Sequence, residues 1–300
     1  MPSETKLKAK TSPIRLDFEA IGTIWNIEFE AHQELAPMIA ELIAVHISEF
    51  DRTYSRFRAD SWVWSVRKPG DYTAPADLAP MLDMYEQLYK ITNGLVTPLI
   101  GDAMERAGYD SMYSLKPTKL RPIPELPETV ELTDNTLHVK YECLLDFGAI
   151  GKGYLVDQIA ELIQDQGITT YLIDAGGDIR VASPTLRSST PVGLEDPEQL
   201  GTAIGIAELS NQSLCASAGS RRKWGEFHHI INPSTLRSTE TVTATCVVAK
   251  TTMLADGLST ALFFTPPSRL QKEFEFEYVM QMSDNSIRTS DNFPGRMLAS

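Results

Sequence analysis

The stretch LLDFGAIGKGYLVDQIAEL, residues 144–162, places an acid, three glycines and a lysine between an apolar run and a helical pattern. Glycine tolerates backbone angles that other residues avoid, so the segment is typical of a tight turn between a strand and a helix. Such a turn can also bind phosphate, because free backbone N–H groups and a helix N-terminus favour negative charge. The segment by itself leaves both interpretations open.

The glycine spacing in this segment differs from the common phosphate-binding loops. A Walker A loop has four residues between its glycines and a Ser or Thr after the lysine, whereas Ala149 and Ile150 alone separate Gly148 from Gly151. The order G-x-x-G-x-G is not the dinucleotide fingerprint either. Spacing alone therefore favours a structural turn.

A second group of polar residues occurs in TTMLADGLSTALFF, residues 251–264. Asp256, Ser259 and Thr260 stand at i, i+3 and i+4, so a helix would bring their oxygens together on one side. Hard oxygen ligands suit Mg²⁺, which takes one or two carboxylates, keeps waters and binds substrate phosphate. An acid near a helix N-terminus beside two ordinary hydroxyls would give the same pattern.

Two further segments combine glycine or histidine with strand patterns. YLIDAGGDIRVAS, residues 171–183, has a Gly-Gly pair between two strands, where glycine usually marks a bulge or a close approach. CASAGSRRKWGEFHHIINPSTLRS, residues 215–238, places His228 and His229 after three basic residues. Each also has a simple explanation as a turn or a solvated run of charges.

Composition limits the class of protein. The chain has 300 residues, of which 42% are hydrophobic, and can bury the core of one large domain or of two closely packed ones. Its net charge of -13 argues against nucleic acid as a partner, because that binding depends on Lys and Arg neutralising phosphates. Any phosphate-bearing ligand must then be neutralised locally, by a metal or by a few cations.

Cysteine usage and hydropathy predict a cytoplasmic protein. The three cysteines lie in apolar, strand-like runs, which suits buried reduced thiols better than disulfides. The start, MPSETKLKAKTSP, has no apolar core, so we expect no leader peptide and a flexible tail at residues 1–12. No apolar run approaches the roughly 20 residues of a membrane helix, so we expect no membrane insertion.

Hydrophobic periodicity predicts a mixture of helices and short strands. Helical patterns cover residues 37–50, the region from Met81 to Tyr89, residues 151–166 and about 252–264. In the first helix, His46 lies in the apolar stripe, which indicates a packing role rather than a ligand. Strand patterns occur at residues 21–30, 129–132, 136–139, 143–147, 169–183, 202–209, 213–217, 228–231, 243–249 and 277–282. Mostly antiparallel sheets with interspersed helices predict an α+β fold.

Taken in order, these segments resemble the ApbE family of FAD:protein FMN transferases over nearly the whole chain. LDFGAIGKGYLVD, residues 145–157, is similar to the family signature L-D-L-G-x-I-A-K-G-Y-x-V-D, and ADGLSTALF is similar to its metal helix. Further segments resemble the family's other motifs: IGTIWNIEFE, DRTYSRFRADSWVWSV, GLVTPLIGDAMERAGY, IDAGGDI and HHIINPSTLRS. The resemblance implies a T-fold-like ApbE domain over residues 13–300.

The resemblance also implies roles for individual residues. His229 matches the family histidine, and a histidine with an ordinary pKa of about 6.5 suits a general base, so we expect it to be catalytic. The implied contacts to FAD are Ile21, Leu95, Val96, Thr97, Asp146, Lys152 and Ile231. The implied metal ligands are the main-chain carbonyl of Ala149 and the side chains of Asp256, Ser259 and Thr260.

Four positions depart from the family pattern. Ile21 replaces the usual Met, Thr97 and Asn232 replace Asp, and Ser259 takes a position that is Asp in some members. Two of these changes remove carboxylates near the ligand, which predicts lower flavin affinity or turnover. The intact signature and metal helix predict retained activity.

The function implied by the resemblance is Mg²⁺-dependent transfer of FMN from FAD to an acceptor flavoprotein, with Mn²⁺ as a possible substitute. FMN would be attached through a phosphoester bond to a Thr or Ser hydroxyl, and AMP would be released. One alternative is hydrolysis of FAD to FMN and AMP at the same site. Another is a non-catalytic protein that binds or delivers FAD.

Overall fold

The computed structural model describes residues 11–183, 189–197, 199 and 201–298. The helices, in chain order, are α1 Ala36–Tyr54, α2 Trp62–Ser65, α3 Leu78–Thr92, α4 Gly101–Arg106, α5 Leu126–Thr129, α6 Gly151–Asp165, α7 Thr252–Ala261 and α8 Pro267–Leu270. The strands are β1 Ser12–Ala20, β2 Thr23–Ala31, β3 Gly70–Thr73, β4 Val130–Thr133, β5 Thr136–Val139, β6 Tyr171–Ala175, β7 Asp178–Ala182, β8 Thr190–Glu195, β9 Ala203–Leu209, β10 Ser213–Ala218, β11 Lys223–Trp224, β12 Phe227–His228, β13 Ile231–Asn232, β14 Arg237–Ser238, β15 Val242–Ala249, β16 Glu277–Met282, β17 Ile287–Thr289 and β18 Gly295–Met297.

Eight of these strands form one antiparallel sheet in the order β1-β2-β6-β7-β10-β15-β16-β17. Two smaller sheets have the orders β3-β5-β4 and β18-β9-β8, and β11-β12 and β13-β14 are short hairpins. The predicted α+β fold with mostly antiparallel sheets is therefore confirmed.

The large sheet is covered on both faces, and β15 shows how. Because successive side chains of a strand point to opposite faces, Val247 packs in the core formed with the helices. Its neighbours Cys246 and Val248 pack in a second core together with Val192 and Leu194 of β8. The molecule thus has helices on one face of the sheet and the β18-β9-β8 sheet on the other.

The N-terminus of α7 is fixed by side chains from two parts of the chain. The hydroxyl of Thr251 accepts a hydrogen bond from Leu254 N at 3.3 Å. Both carboxylate oxygens of Asp157, on α6, accept hydrogen bonds at 2.8 Å, one from Thr252 N and one from Met253 N. These contacts occupy N–H groups that the first turn of a helix leaves free, and they hold α7 against α6.

Several sequence predictions differ from the structure in detail. Residues 143–147 form no strand; Cys143 N donates to Arg67 O, in a loop, at 3.0 Å, and Asp146 N donates to Pro98 O, in a short 3₁₀ helix, at 2.7 Å. Residues 228–231 do not form one strand but divide between β12 and β13. Strand β1 was not predicted, and it begins at Ser12, the last residue assigned to the N-terminal tail. Residues 1–10 of that tail lie outside the described residues.

The predicted burial of the cysteines as free thiols is confirmed. Cys143, Cys215 and Cys246 are buried and form no disulfide. His46 is half-buried where α1 packs on α6, and its Nε2 lies 3.2 Å from Gln158 Oε1. Within the part of the chain that the structure describes, no helix has the length and apolar character needed to span a bilayer.

Candidate functional site

The loop before α6 is organised around Asp146. Its Oδ1 accepts a hydrogen bond from Gly148 N at 2.6 Å, and its Oδ2 accepts one from Arg56 Nε at 2.5 Å. The hydroxyl of Tyr85 donates to the main-chain oxygen of Asp146 at 3.1 Å. The acid therefore fixes the loop backbone as well as facing the cleft described below.

Arg56 is a buried guanidinium beside this loop, only 3% exposed. In addition to Asp146, its Nη1 donates to Glu105 Oε1 at 3.1 Å and to Tyr109 O at 2.7 Å. Its Cζ lies 4.1 Å from the ring centroid of Phe57, within the range of a cation–π contact. Nη2 is buried with no hydrogen-bond partner among the described residues.

Lys152, in the first turn of α6, is half-buried and lies beside two buried acids, Asp178 and Asp256. Its Nζ forms an ion pair with Asp178 and donates to Ala175 O at 2.8 Å. Burial would lower the pKa of Lys152, but the carboxylates of Asp178 and Asp256 outweigh it and raise that pKa above its usual value. Burial, and next the charge of Asp178, raise the pKa of Asp256 well above its ordinary range. Two carboxylates thus share one ammonium.

The two hydroxyls of α7 have different surroundings. Ser259 is fully buried, with its Oγ 2.8 Å from Ser217 Oγ and donating to Asp256 O at 2.8 Å. Thr260 is half-buried and lines the same cavity as Ala149. No group of three or more His, Cys, Asp or Glu side chains within the described ranges could hold a metal.

The two adjacent histidines differ in their hydrogen bonding. His228 Nε2 lies 2.7 Å from Thr239 O, and its Nδ1 accepts from Ile230 N at 3.2 Å. Nδ1 of His229 is buried and has no hydrogen-bond partner among the described residues. Burial, followed by the positive charges of Arg222 and His228, lowers the pKa of His229 to about 3. His229 is therefore a neutral imidazole near pH 7.

Two adjacent cavities bring most of the predicted residues together. The larger, about 710 Å³, is lined by Ile21, Asp146 and Lys152. The smaller cavity, about 130 Å³, is also lined by Asp146. Seven other predicted site residues line it: Leu95, Val96, Thr97, Ala149, His229, Ile231 and Thr260. Asp256 and Ser259 are not among the lining residues of either cavity and are buried in α7.

Three of the departures from the family pattern have local structural roles. Ile21 has a φ of 44° and, with Gly22, forms the two-residue turn between β1 and β2, an unusual backbone for a β-branched residue. Thr97 Oγ1 accepts from Leu99 N at 3.2 Å and caps a short 3₁₀ helix. Asn232 Oδ1 accepts from Ser234 N at 2.9 Å. Thr97 and Asn232, which replace Asp, each keep a side-chain oxygen that accepts a backbone hydrogen bond and orders a turn.

Sequence reasoning missed three charged residues of this region. Arg56 and Asp178 form the ion pairs to Asp146 and Lys152, and Arg222 lines both cavities. Arg56 and Asp178 lie in segments that resemble family motifs, DRTYSRFRADS and IDAGGDI. No local pattern reveals that residues 56 and 146, so distant in the chain, meet in the fold.

The fold and the site define an α+β protein with a half-buried lysine and two buried acids beside a cleft. The model of the ApbE family matches residues 21–281, and the chain belongs to that family. The chain is 26% identical over 288 residues to the FAD:protein FMN transferase of Haemophilus influenzae, which covers 85% of this chain and 81% of the relative. It is 31% identical over 175 residues to the FAD:protein FMN transferase of Vibrio cholerae, covering 55% of this chain and 52% of that one.

Solved structures support the fold. The flavin transferase ApbE from Vibrio cholerae superposes with a TM-score of 0.78 at 20% identity, covering 94% of this chain and 98% of the other. The ApbE protein from Thermotoga maritima gives a TM-score of 0.83 at 21% identity, covering 93% and 97%. The family resemblance predicted from sequence is confirmed.

Proposed function

We propose that this chain is an FAD:protein FMN transferase, which attaches FMN to a Thr or Ser hydroxyl of an acceptor flavoprotein and releases AMP. Its family and the names of its relatives support the predicted transferase class. The observation that carries the proposal is the arrangement of the cavities. Lys152, a cation for phosphate, and His229, a neutral base, line adjacent cavities that share the wall residue Asp146.

The residue types proposed as metal ligands suit a divalent cation. Asp178 and Asp256 are buried carboxylates beside one ammonium group, that of Lys152, so a bound cation would balance the excess negative charge. Mg²⁺ uses one or two carboxylates and completes its shell with neutral oxygens, which Ala149 O and Thr260 Oγ1 would supply. Mn²⁺ would suit the same oxygens. The hydroxyl of Ser259 would join only by giving up its bond to Ser217 or to Asp256 O.

In the proposed reaction, the acceptor hydroxyl oxygen forms a bond to the phosphorus of the FMN half of FAD. The bond from that phosphorus to the oxygen bridging to AMP breaks, and AMP leaves with the bridging oxygen. His229 takes the hydroxyl proton through a ring nitrogen. A bound Mg²⁺ would stabilise negative charge on the transferred phosphoryl group.

The surroundings of His229 suit this role once FAD is bound. A pKa of about 3 makes the free imidazole available but weakly basic. The pyrophosphate of FAD is doubly negative, and negative charge beside the ring raises its pKa towards neutrality. Binding of FAD would thus make His229 more basic at the position where the acceptor hydroxyl binds.

The test is to incubate the purified protein with FAD, Mg²⁺ and candidate flavoproteins, and to measure AMP release and added FMN by mass spectrometry. We expect one AMP for each FMN attached, and neither product with His229→Ala on the same time scale. Rapid AMP release without an acceptor would instead identify an FAD hydrolase. Tight FAD binding without AMP under any condition would identify a binding or delivery protein.

The cytoplasmic location stays a prediction from sequence. It implies that the acceptor is a cytosolic protein or a domain facing the cytosol. Fractionation of the native organism tests it, because recovery of the chain outside the cytoplasm would contradict it.

A further inference from the structure

The larger cavity is positively charged although the chain as a whole carries a net charge of -13. Its lining contains six cationic side chains, Arg56, Arg58, Lys152, Arg221, Arg222 and Lys223, against the two acids Asp51 and Asp146. A concave surface of one sign concentrates ligands of the opposite sign and speeds their association. The cleft therefore favours an anionic partner, although the chain as a whole is negatively charged.

Four of these cations are already paired within the protein. Arg56 pairs with the half-buried Asp146, and Lys152 pairs with the buried Asp178. Arg58 pairs with Asp60 at 2.8 Å, and Arg221 pairs with Glu195. Arg222 and Lys223 are exposed and form no ion pair with any residue that the structure describes. We refer to Arg222 and Lys223 as the cationic rim.

The cationic rim is directly attached to the backbone that carries His229. Lys223 pairs with His228 in the β11-β12 hairpin, and His229 N donates to Arg222 O at 3.2 Å. The base and the two free cations are therefore held in one turn. A polypeptide that presents a hydroxyl to His229 must also pass close to the rim.

On the basis of the proposed function, we propose that the cationic rim recognises acidic side chains next to the acceptor Thr or Ser. FAD requires cations at its pyrophosphate, and Lys152, whose side chain is 23% exposed, lines the larger cavity for that role. Arg222 and Lys223 line the same cavity but are exposed, so a polypeptide that enters the cleft can contact them. Charge complementarity of this kind steers association and selects partners.

The experiment measures binding of labelled peptides to the FAD-loaded protein without metal, by fluorescence anisotropy. Three peptides share one Thr and differ in its flanks, with two Asp, two Asn or two Lys. Two exposed ion pairs of about 0.7 kcal/mol each predict about 10-fold tighter binding of the Asp peptide than of the Asn peptide. The difference should shrink as salt concentration rises.

Charge reversal at the rim provides the decisive comparison. Lys223→Glu should remove the preference for the Asp peptide while the protein still binds FAD. Lys272→Glu, an exposed position outside the cavity lining, changes the net charge equally and should preserve the preference. Equal binding of the three peptides, or a Lys223→Glu effect on FAD binding alone, would overturn the inference. Failure of the proposed function would be recognised separately, by the absence of FMN on every acceptor tested.

Discussion

Gly153 N donates a hydrogen bond to Asp256 Oδ2 at 3.0 Å, which joins the signature helix α6 to α7. A Cβ on Gly153 would lie 2.4 Å from Thr252 O and 2.8 Å from Asp256 Cβ. The last glycine of the signature is therefore required by close packing of two helices rather than by a turn. This contact sets the distance between the lysine-bearing helix and the acid proposed to bind metal.

Gly153→Ala should consequently separate α6 from α7. Overpacking of this kind typically costs about 1–3 kcal/mol of the free energy of unfolding, and we expect AMP release to fall with it. Urea denaturation and the AMP assay measure the two effects. Gly193→Ala is the matched control, since the nearest atom to its added Cβ is 4.0 Å away and its stability should change little. Equal stability of the two variants would contradict the packing argument.

Asp256→Asn should abolish AMP release without unfolding the protein. It removes a buried charge that lies near Asp178, so stability without metal should be unchanged or higher. The rise in Tm that Mg²⁺ causes in the native protein should disappear, because a cation stabilises only a protein that binds it. Thr260→Val should be milder, since a neutral oxygen contributes less to a hard cation. A native rate in limiting Mg²⁺ for the Asp256 variant would refute the metal assignment.

His229→Ala should slow turnover by roughly 10²–10⁴-fold while FAD still binds, as expected for loss of a general base. His228→Ala should instead affect mainly stability, because both ring nitrogens of His228 are used in bonds to Thr239 O and Ile230 N. Single-turnover assays and FAD titrations separate the two outcomes. Activity lost in His228→Ala and kept in His229→Ala would move the role by one residue, and activity in both would end the hypothesis.

The low pKa of His229 makes a prediction about acid stability. The folded protein leaves this imidazole neutral down to about pH 3, whereas the unfolded chain binds a proton below about pH 6.5. Its contribution to stability is thus lost as pH falls from 6.5 towards 3, at about 1.4 kcal/mol per pH unit. Between pH 7 and pH 5, His229→Gln should lose about 2 kcal/mol less than the native protein in urea denaturation. Equal losses would show that the ring is protonated in the fold.

Arg56→Lys should weaken FAD binding while keeping the positive charge. Lysine cannot reproduce the fork that holds Asp146 through Nε and also Tyr109 O through Nη1. With the loop at Asp146 less ordered, we expect KM for FAD to rise about 10-fold, equivalent to one lost charge-assisted bond, with a smaller change in kcat. Arg15→Lys, an exposed pair with Asp17, should change neither constant. A fall in kcat alone would argue against a positioning role for Arg56.

The helices that position the site were predictable because their apolar residues repeat every three or four positions. The pattern at 37–50 corresponds to α1, and the pattern at 151–166 corresponds to α6 within one residue. Strand β1 was missed because its sequence, SPIRLDFEA, contains a proline and three charges, as an edge strand tolerates. Residues 143–147 have a strand-like composition, but their main-chain hydrogen bonds run to a loop and to a short 3₁₀ helix instead of a neighbouring strand.

The candidate site was predictable only where one segment carries both residue type and spacing. Asp256 and Thr260 were proposed as metal ligands from a helical repeat and the family resemblance, and Asp146 and Lys152 as FAD contacts from the signature. The buried ion pairs of Arg56 and Asp178 could not, because pairing across 90 and 26 residues depends on tertiary packing. The sequence also could not predict that His228 is hydrogen-bonded to Thr239 O while Nδ1 of His229 has no partner among the described residues, because this difference arises from tertiary packing.

The cap that Asp157 places on α7 has a consequence for biosynthesis. Its partners Thr252 and Met253 follow it by 95 and 96 residues, so the two helices can meet only after most of the chain has left the ribosome. Contacts of such long sequence separation form slowly, because a large loop must close before they are made. We expect the signature loop to stay incompletely ordered until the segment that carries α7 has been synthesised, and FAD binding to begin only then.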